Sequence, residues 1–159
     1  MVRAIQVGLG RWGFNWSKDV IPHVPNVEMA AYVDTAPAAV ENVRTQLNVP
    51  ASACFSTLAE AAKAVQADLV IATLRTDAHY PVVKQALELG LNVIVEKPFA
   101  SSMQQAKELV ALAEEHNRLL MVSQNYRFHA APTLAAELVG AQKYGPVEFV
   151  SLDFRRHAP

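Results

Sequence analysis

Cysteine is almost missing from this 159-residue sequence, so no disulfide can form within the chain. The only cysteine, Cys54, lies between Ala53 and Phe55, and these apolar neighbours favour a buried structural thiol over a nucleophile or a metal ligand. The histidines show no spacing with Cys, Asp or Glu that is typical of a metal site. We therefore predict no metal.

A charge excess of either sign is also missing. Fourteen basic and fifteen acidic residues give a net charge of −1, which argues against nucleic acid or an anionic membrane surface as a partner. No apolar run approaches the roughly 18 residues of a membrane span. The N-terminus begins a strand at once, without the basic and apolar regions of a signal peptide. The sequence predicts a soluble cytoplasmic protein with no nucleic-acid and no membrane partner.

Short apolar runs alternate with longer stretches of helical period, and this alternation predicts repeated βα units. Apolar strands are predicted at 3–7, 27–33, 53–55, 68–73, 92–95 and 119–122. Helices are predicted at 12–20, 38–47, after a capping box at Thr57 and Glu60, at 79–89, and from a second capping box at Ser102 and Gln105 to 116. The predicted fold class is α/β, a doubly wound, mainly parallel, Rossmann-like sheet.

A glycine-rich turn follows the first strand. Gly8 permits the tight turn, the missing Cβ of Gly10 permits close approach of a phosphate, and Gly13 permits close packing of helix on strand. The N–H groups of the helix start would hold a pyrophosphate. An ordinary βα turn remains an alternative, because this motif alone is weak evidence.

Asp34 ends the second strand, near the spacing of about 20 residues expected for a ribose-binding acid. Its charge would repel the 2′-phosphate of NADP, and Thr35 and Ala36 offer no basic side chain. NAD is therefore the predicted cofactor, with NADP disfavoured. A simple helix-capping role for Asp34 remains open.

The glycine motif at 8–13, Asp34, the run from Ala72 to His79 and above all Glu96-Lys97-Pro98 resemble the Gfo/Idh/MocA family of glucose–fructose oxidoreductases and inositol dehydrogenases. The resemblance spans essentially the whole chain, as the family's N-terminal dinucleotide-binding domain. It implies an NAD(P)-dependent oxidoreductase that transfers a hydride between the nicotinamide and a secondary hydroxyl of a sugar, inositol or related polyol.

The sequence departs from this family in two places. Thr73-Leu74-Arg75 stands where the family often has Thr-Pro, so the turn near the nicotinamide can differ. The family's second domain normally supplies an aspartate and a histidine four residues apart on a helix, and no such domain follows Phe154. We therefore expect the chain by itself to be inactive. A non-catalytic NAD-binding or protein-interaction module is the alternative function.

Lys97 is the catalytic candidate, because an ammonium near the reacting hydroxyl can donate a hydrogen bond and stabilise alkoxide charge. Pro98 shapes the turn, with a cis bond before it as one option. Glu96 holds either Lys97 or a cofactor ribose. His79 more often packs or caps in such a position than it catalyses. The residues assigned to cofactor binding are Gly8, Gly10, Arg11, Trp12, Gly13, Asp34, Thr73, Leu74, Arg75, His79, Glu96, Lys97, Pro98, Asn125 and Arg127.

The predicted domains are a dinucleotide-binding domain at 1–128, a connecting helix and turn at 129–146, and the start of a truncated C-terminal domain at 147–159. In the last of these, 147–154 is predicted to be a strand without a sheet of its own. Such an edge should pair with a second copy or be disordered, which predicts a homo-oligomer through this strand.

Overall fold

The computed structural model describes residues 1–151, 153 and 155. Its six strands are β1 (Val2–Val7), β2 (Val27–Val33), β3 (Cys54–Phe55), β4 (Leu69–Ala72), β5 (Asn92–Val95) and β6 (Leu120–Val122). They form one sheet in the order β3-β2-β1-β4-β5-β6, and every pairing is parallel. The predicted doubly wound α/β fold is confirmed, with a sheet that is wholly rather than mainly parallel.

Helices connect the strands. They are α1 (Arg11–Asn15), α2 (Pro37–Gln46), α3 (Leu58–Ala64), α4 (Thr76–Glu88), α5 (Met103–Glu115) and α6 (Ala130–Gly140). The chain continues from α1 into a π-helical turn at Trp16–Val20 and a 3₁₀ turn at Ile21–His23, and further 3₁₀ turns lie at Ala51–Ala53 and Asn125–Phe128. No helix within the described part of the chain is long and apolar enough to cross a membrane.

The sheet is buried on both faces. On one face, Ile5, Val70 and Val93 join the helices α3, α4 and α5 in the largest apolar cluster. On the other face, Tyr32 packs in a cluster with Val43 of α2. This two-sided cover explains the nearly continuous apolar character of β4, because parallel strands between helix layers expose neither face to water.

The two predicted capping boxes have different outcomes. At α3 the hydroxyl of Thr57 accepts from the Glu60 N–H, and the Glu60 carboxylate accepts from the Thr57 N–H, so that box is confirmed. At α5 Ser102 accepts from the Gln105 N–H. The Gln105 side chain, however, accepts from the N–H of Ser101, one residue before the cap. The second box is therefore only half formed.

Two predicted helices have different bounds. The helix predicted at 79–89 begins at Thr76, and Pro81 lies inside it. The extended backbone of Arg75 ends the preceding loop, so the first turn forms three residues earlier than predicted. The helix predicted at 12–20 is a short α-helix followed by the π turn.

The chain divides into two compact units, Met1–Ser123 and Gln124–Pro159. The division falls before the predicted boundary after residue 128. The strand predicted at 147–154 is wrong for residues 147–151 and 153, which are irregular, since no described strand pairs with them. Leu152 and Phe154 lie outside the described residues. Pairing with a second copy stays a prediction.

Candidate functional site

The site is at the carboxyl edge of the sheet, where the strand order reverses around β1. The chain runs outward from β1 to β2 and β3, then returns to the other side of β1 with β4 and β5. Because all strands are parallel, the residues that follow β2, β1, β4 and β5 lie along one edge. Ligands of open α/β sheets bind at such a crevice.

The glycine turn after β1 has the geometry that its sequence predicts. Gly8 has a φ of +94°, and a Cβ there would lie 2.8 Å from the carbonyl oxygen of Thr73. A Cβ on Gly13 would lie only 1.9 Å from the carbonyl oxygen of Gly8. These two glycines are therefore required by the packing of α1 against the end of β1.

Gly10 differs, because nothing lies within 4 Å of the place its Cβ would take. Among the described residues, no hydrogen-bond acceptor faces the N–H groups of Gly10, Arg11 and Trp12. The turn thus presents free N–H donors beside open space. This combination fits an anionic group such as a pyrophosphate.

A buried polar network supports the turn from below. The Gln6 side-chain amide donates to the Gly13 carbonyl oxygen at 2.7 Å and to the Thr73 hydroxyl at 3.1 Å, and its oxygen accepts from the Ser17 hydroxyl. Thr73 in turn donates to the Gly8 carbonyl oxygen at 2.6 Å. Thr73 was predicted to contact the cofactor, but its hydroxyl group donates its hydrogen to the glycine turn.

Gln6 and Ser17 are site residues that the sequence reasoning missed. A fully buried Gln6 stands between the buried apolar residues Ile5 and Val7 of β1. That interruption is the one signal that could have found it, since a polar side chain in a buried strand needs partners. No buried side-chain nitrogen or oxygen of the described residues lacks one.

Asp34 lies beside the glycine turn, at the end of β2. Its Oδ2 accepts from the Leu9 N–H at 2.6 Å, and its Oδ1 accepts from the Ala36 N–H at 2.8 Å. The carboxylate therefore fixes the turn and the start of the next loop. It is partly exposed, and each oxygen keeps a second lone pair for a further donor.

Glu96 and Lys97 follow β5. Glu96 is buried, and its Oε1 accepts from the indole N–H of Trp16 at 3.1 Å while its Oε2 accepts from the Lys97 N–H at 3.2 Å. The Lys97 side chain is exposed, and it forms no ion pair with a described residue. Of the two alternatives for Glu96, an ion pair with the Lys97 side chain does not form, and the carboxylate instead accepts from the Trp16 indole and from the Lys97 backbone N–H. The Lys97–Pro98 peptide bond is cis.

His79 does not reach the surface of this edge. Its ring is 0 % exposed, so it offers no face to a cofactor. Nδ1 lies 2.9 Å from the Pro98 carbonyl oxygen and Nε2 lies 3.0 Å from the Leu74 carbonyl oxygen. Its predicted role in direct cofactor binding is therefore corrected to support of two loops.

The other predicted residues fall into two groups. Arg11, Trp12 and Arg75 are exposed around the same edge, and Arg75 pairs with Asp77 at 3.3 Å. Asn125 and Arg127 belong to the second compact unit, where the Arg127 guanidinium lies 5.4 Å from the centre of the Phe128 ring. Within the first unit, the structure brings together the residues that follow β1, β2, β4 and β5. Across the described chain, no three His, Cys, Asp or Glu side chains cluster as metal ligands would.

Residues 2–124 match the model of the oxidoreductase family with an NAD-binding Rossmann fold, GFO_IDH_MocA. The chain belongs to the Gfo/Idh/MocA family. The resemblance seen in the sequence is therefore confirmed.

Individual relatives agree with this assignment. An uncharacterized oxidoreductase of Schizosaccharomyces pombe is 31% identical over 120 residues, which is 76% of this chain and 33% of the relative. Scyllo-inositol dehydrogenase from Lactobacillus casei, solved with NAD(H) and scyllo-inositol, superposes with a TM-score of 0.82 at 21% identity. The match covers 91% of this chain and 42% of that one.

A putative NADPH-dependent oxidoreductase from Desulfitobacterium hafniense has the same TM-score, 0.82, at 23% identity over 91% of this chain and 41% of that one. At these identities the solved structures support the fold alone, and the family assignment rests on the match of residues 2–124. The chain spans less than half the length of these relatives.

Proposed function

We propose that this chain is the cofactor-binding part of an oxidoreductase that transfers a hydride between NAD and a secondary hydroxyl of a sugar, inositol or related polyol. The observation that carries the proposal is that a glycine turn with free N–H groups, an acid and a lysine lie along one edge of the sheet. Family membership and the scyllo-inositol bound to the Lactobacillus relative support the substrate class.

The residues present fit a dinucleotide. The free N–H groups of the turn would hold the pyrophosphate beside Gly10, and Asp34 would accept hydrogen bonds from the adenosine ribose. A 2′-phosphate placed there would meet the Asp34 carboxylate without a cation at Thr35 or Ala36. We therefore favour NAD over NADP, although one structural relative is described as NADPH-dependent.

Lys97 would act on the substrate hydroxyl. NAD supplies the hydride acceptor, so the protein needs only to orient the substrate and manage the hydroxyl proton. The exposed Lys97 ammonium has no ion-pair partner among the described residues and can donate to that oxygen and stabilise its developing charge. Trp16 and Glu96 hold the backbone of this residue in place.

Calorimetric titration of the chain with NAD⁺ and NADP⁺ tests the cofactor assignment. We expect NAD⁺ to bind more tightly. Asp34→Asn should lower NAD⁺ affinity by about tenfold, because one charged acceptor is lost. It should also reduce the ratio of NAD⁺ affinity to NADP⁺ affinity. Asp68→Asn is the matched control: Asp68 also accepts a backbone N–H, that of Arg3, but lies just before β4 at the opposite edge. Binding of neither dinucleotide would favour the interaction-module alternative.

Turnover tests the role of Lys97. Because the relatives are more than twice as long, we expect the 159 residues alone to bind cofactor without oxidising a polyol. In the longest natural form of the protein, Lys97→Ala should lower kcat by about 10²- to 10⁴-fold, with NAD⁺ affinity little changed. Lys97→Arg keeps the positive charge but replaces the ammonium, so its kcat distinguishes stabilisation of alkoxide charge from proton transfer by Lys97. Unchanged turnover in Lys97→Ala would contradict the assignment.

A further inference from the structure

We propose that His79 is a positioning residue for the nicotinamide half of the cofactor site. This inference rests on the function proposed above. The ring joins the loop after β4 to the loop after β5 by contacting the carbonyl oxygens of Leu74 and Pro98. Within the described residues, no other side chain hydrogen-bonds to either carbonyl.

The contacts make His79 a spacer between the two loops. Its ring is completely buried, and each nitrogen lies within 3.0 Å of one carbonyl oxygen. Both partners are acceptors only, so any hydrogen bond here is donated by the ring, and a neutral imidazole carries one N–H whereas a protonated one carries two. An apolar side chain of the same size would remove both ring-to-carbonyl contacts and would not fix the separation of the two carbonyls.

The position of the two loops says which half of a dinucleotide they affect. Along the carboxyl edge the order is Asp34 after β2, the glycine turn after β1, Leu74 after β4 and Lys97 after β5. A dinucleotide with its adenosine ribose at Asp34 and its pyrophosphate at the turn extends next across β4 and β5. His79 makes no hydrogen bond to Asp34 or to the glycine turn.

This geometry separates His79 from a general contribution to stability. Loss of core packing in α4 would lower the fraction of folded protein. The apparent affinities for all ligands would then fall by the same factor. Loss of the spacer would weaken only a ligand that reaches past the second ribose, that is, one that carries the nicotinamide. ADP-ribose and NAD⁺ share everything up to the second ribose and differ by the nicotinamide, so their affinity ratio reports on the spacer.

The experiment is calorimetric titration of the chain with NAD⁺ and ADP-ribose, for the wild type and for His79→Leu. The wild type should bind NAD⁺ more tightly than ADP-ribose. His79→Leu should lower NAD⁺ affinity by about tenfold while ADP-ribose affinity changes by less than about twofold, as expected from lost hydrogen bonds at one end of the site. His79→Asn places an amide near Nδ1, facing Pro98, and should restore part of the NAD⁺ affinity.

Val83→Ala is the matched control. Val83 lies one turn further along α4, is 0 % exposed and makes apolar contacts only, so its truncation should lower the urea midpoint without changing the affinity ratio. If His79→Leu does not fold, His79→Asn and His79→Gln are measured instead, because each keeps an amide donor near one of the two ring nitrogens.

Three results would overturn the inference. The first is an equal loss of both affinities in His79→Leu, as for Val83→Ala. The second is no change in either affinity. The third is equal binding of NAD⁺ and ADP-ribose by the wild type. If the wild type binds neither ligand, the proposed function fails too, and this outcome is distinct from the other three.

Discussion

Gly10 and Gly13 belong to the same motif but differ in what surrounds them. A Cβ on Gly13 would meet the backbone oxygen of Gly8 at 1.9 Å, whereas the space beside Gly10 is open. Gly13→Ala should therefore lower the free energy of unfolding by about 1–3 kcal/mol, the usual cost of overpacking. Gly10→Ala should leave stability nearly unchanged and weaken NAD⁺ binding, because its methyl group occupies the phosphate side of the turn.

Urea unfolding and calorimetric titration of the two variants check this pair. A stable Gly13→Ala, or a Gly10→Ala with normal NAD⁺ affinity, would contradict the assigned roles. The control is Gly140→Ala, at the end of α6, where a Cβ also meets open space and where no cofactor role is assigned.

Trp16 shows why some site residues could not be predicted. Its indole N–H lies 3.1 Å from Glu96, although 80 residues separate them in sequence. The adjacent Ser17 bonds to Gln6. Two consecutive residues both face inward because the chain forms a π turn at this point, a conformation that is frequent at functional sites. Helical periodicity places neighbours about 100° apart and does not indicate such a turn.

The helix caps can be tested one element at a time. Thr57→Ala removes the acceptor for the Glu60 N–H at the start of α3. We expect the free energy of unfolding to fall by about 1 kcal/mol, as for other lost caps, measured by urea denaturation. Ser56→Ala, the same kind of change at the exposed preceding residue, should have little effect. A loss of equal size in both variants would show that the capping geometry contributes nothing.

Elements that are determined by residues close together in the sequence can be predicted from it. The strands from β1 to β6 and the box at Thr57 follow from short-range patterns, and the structure confirms them. Asp34, Gly8 and Glu96 fall at strand ends, so strand prediction already places them on one edge. The strand predicted at 147–154 had the right alternation, but a strand also needs a neighbour, and pairing is not a local property.

His79 was predicted to begin a helix and lies inside α4, three residues after its start, yet its partners lie in two loops that only the folded sheet brings together. The same reasoning applies to the Gln105 side chain, which accepts from Ser101 rather than from the cap residue. Residue type and spacing predict that a polar side chain has a partner. The backbone geometry of the folded chain determines which group that side chain hydrogen-bonds to.

The stability of the whole molecule should depend on pH in the alkaline range. Burial raises the pKa of Tyr32 above its ordinary 10.0, and the neighbouring Cys54 raises it further. Burial also raises the pKa of the Cys54 thiol above its ordinary 9.0, with Arg44 opposing the shift. The two residues are paired across β2 and β3, so both groups are held neutral by the same edge of the sheet.

The sign follows from which state loses its proton first. The unfolded chain ionises Cys54 and Tyr32 near their ordinary values, while the folded chain keeps both protons to higher pH. Stability is therefore fully present below about pH 9 and falls as the pH rises through the folded pKa values. Urea unfolding at a series of pH values measures this slope. Cys54→Ala and Tyr32→Phe should each make the decline shallower, and the double variant more so. A decline equally steep in the double variant would place its cause elsewhere in the molecule.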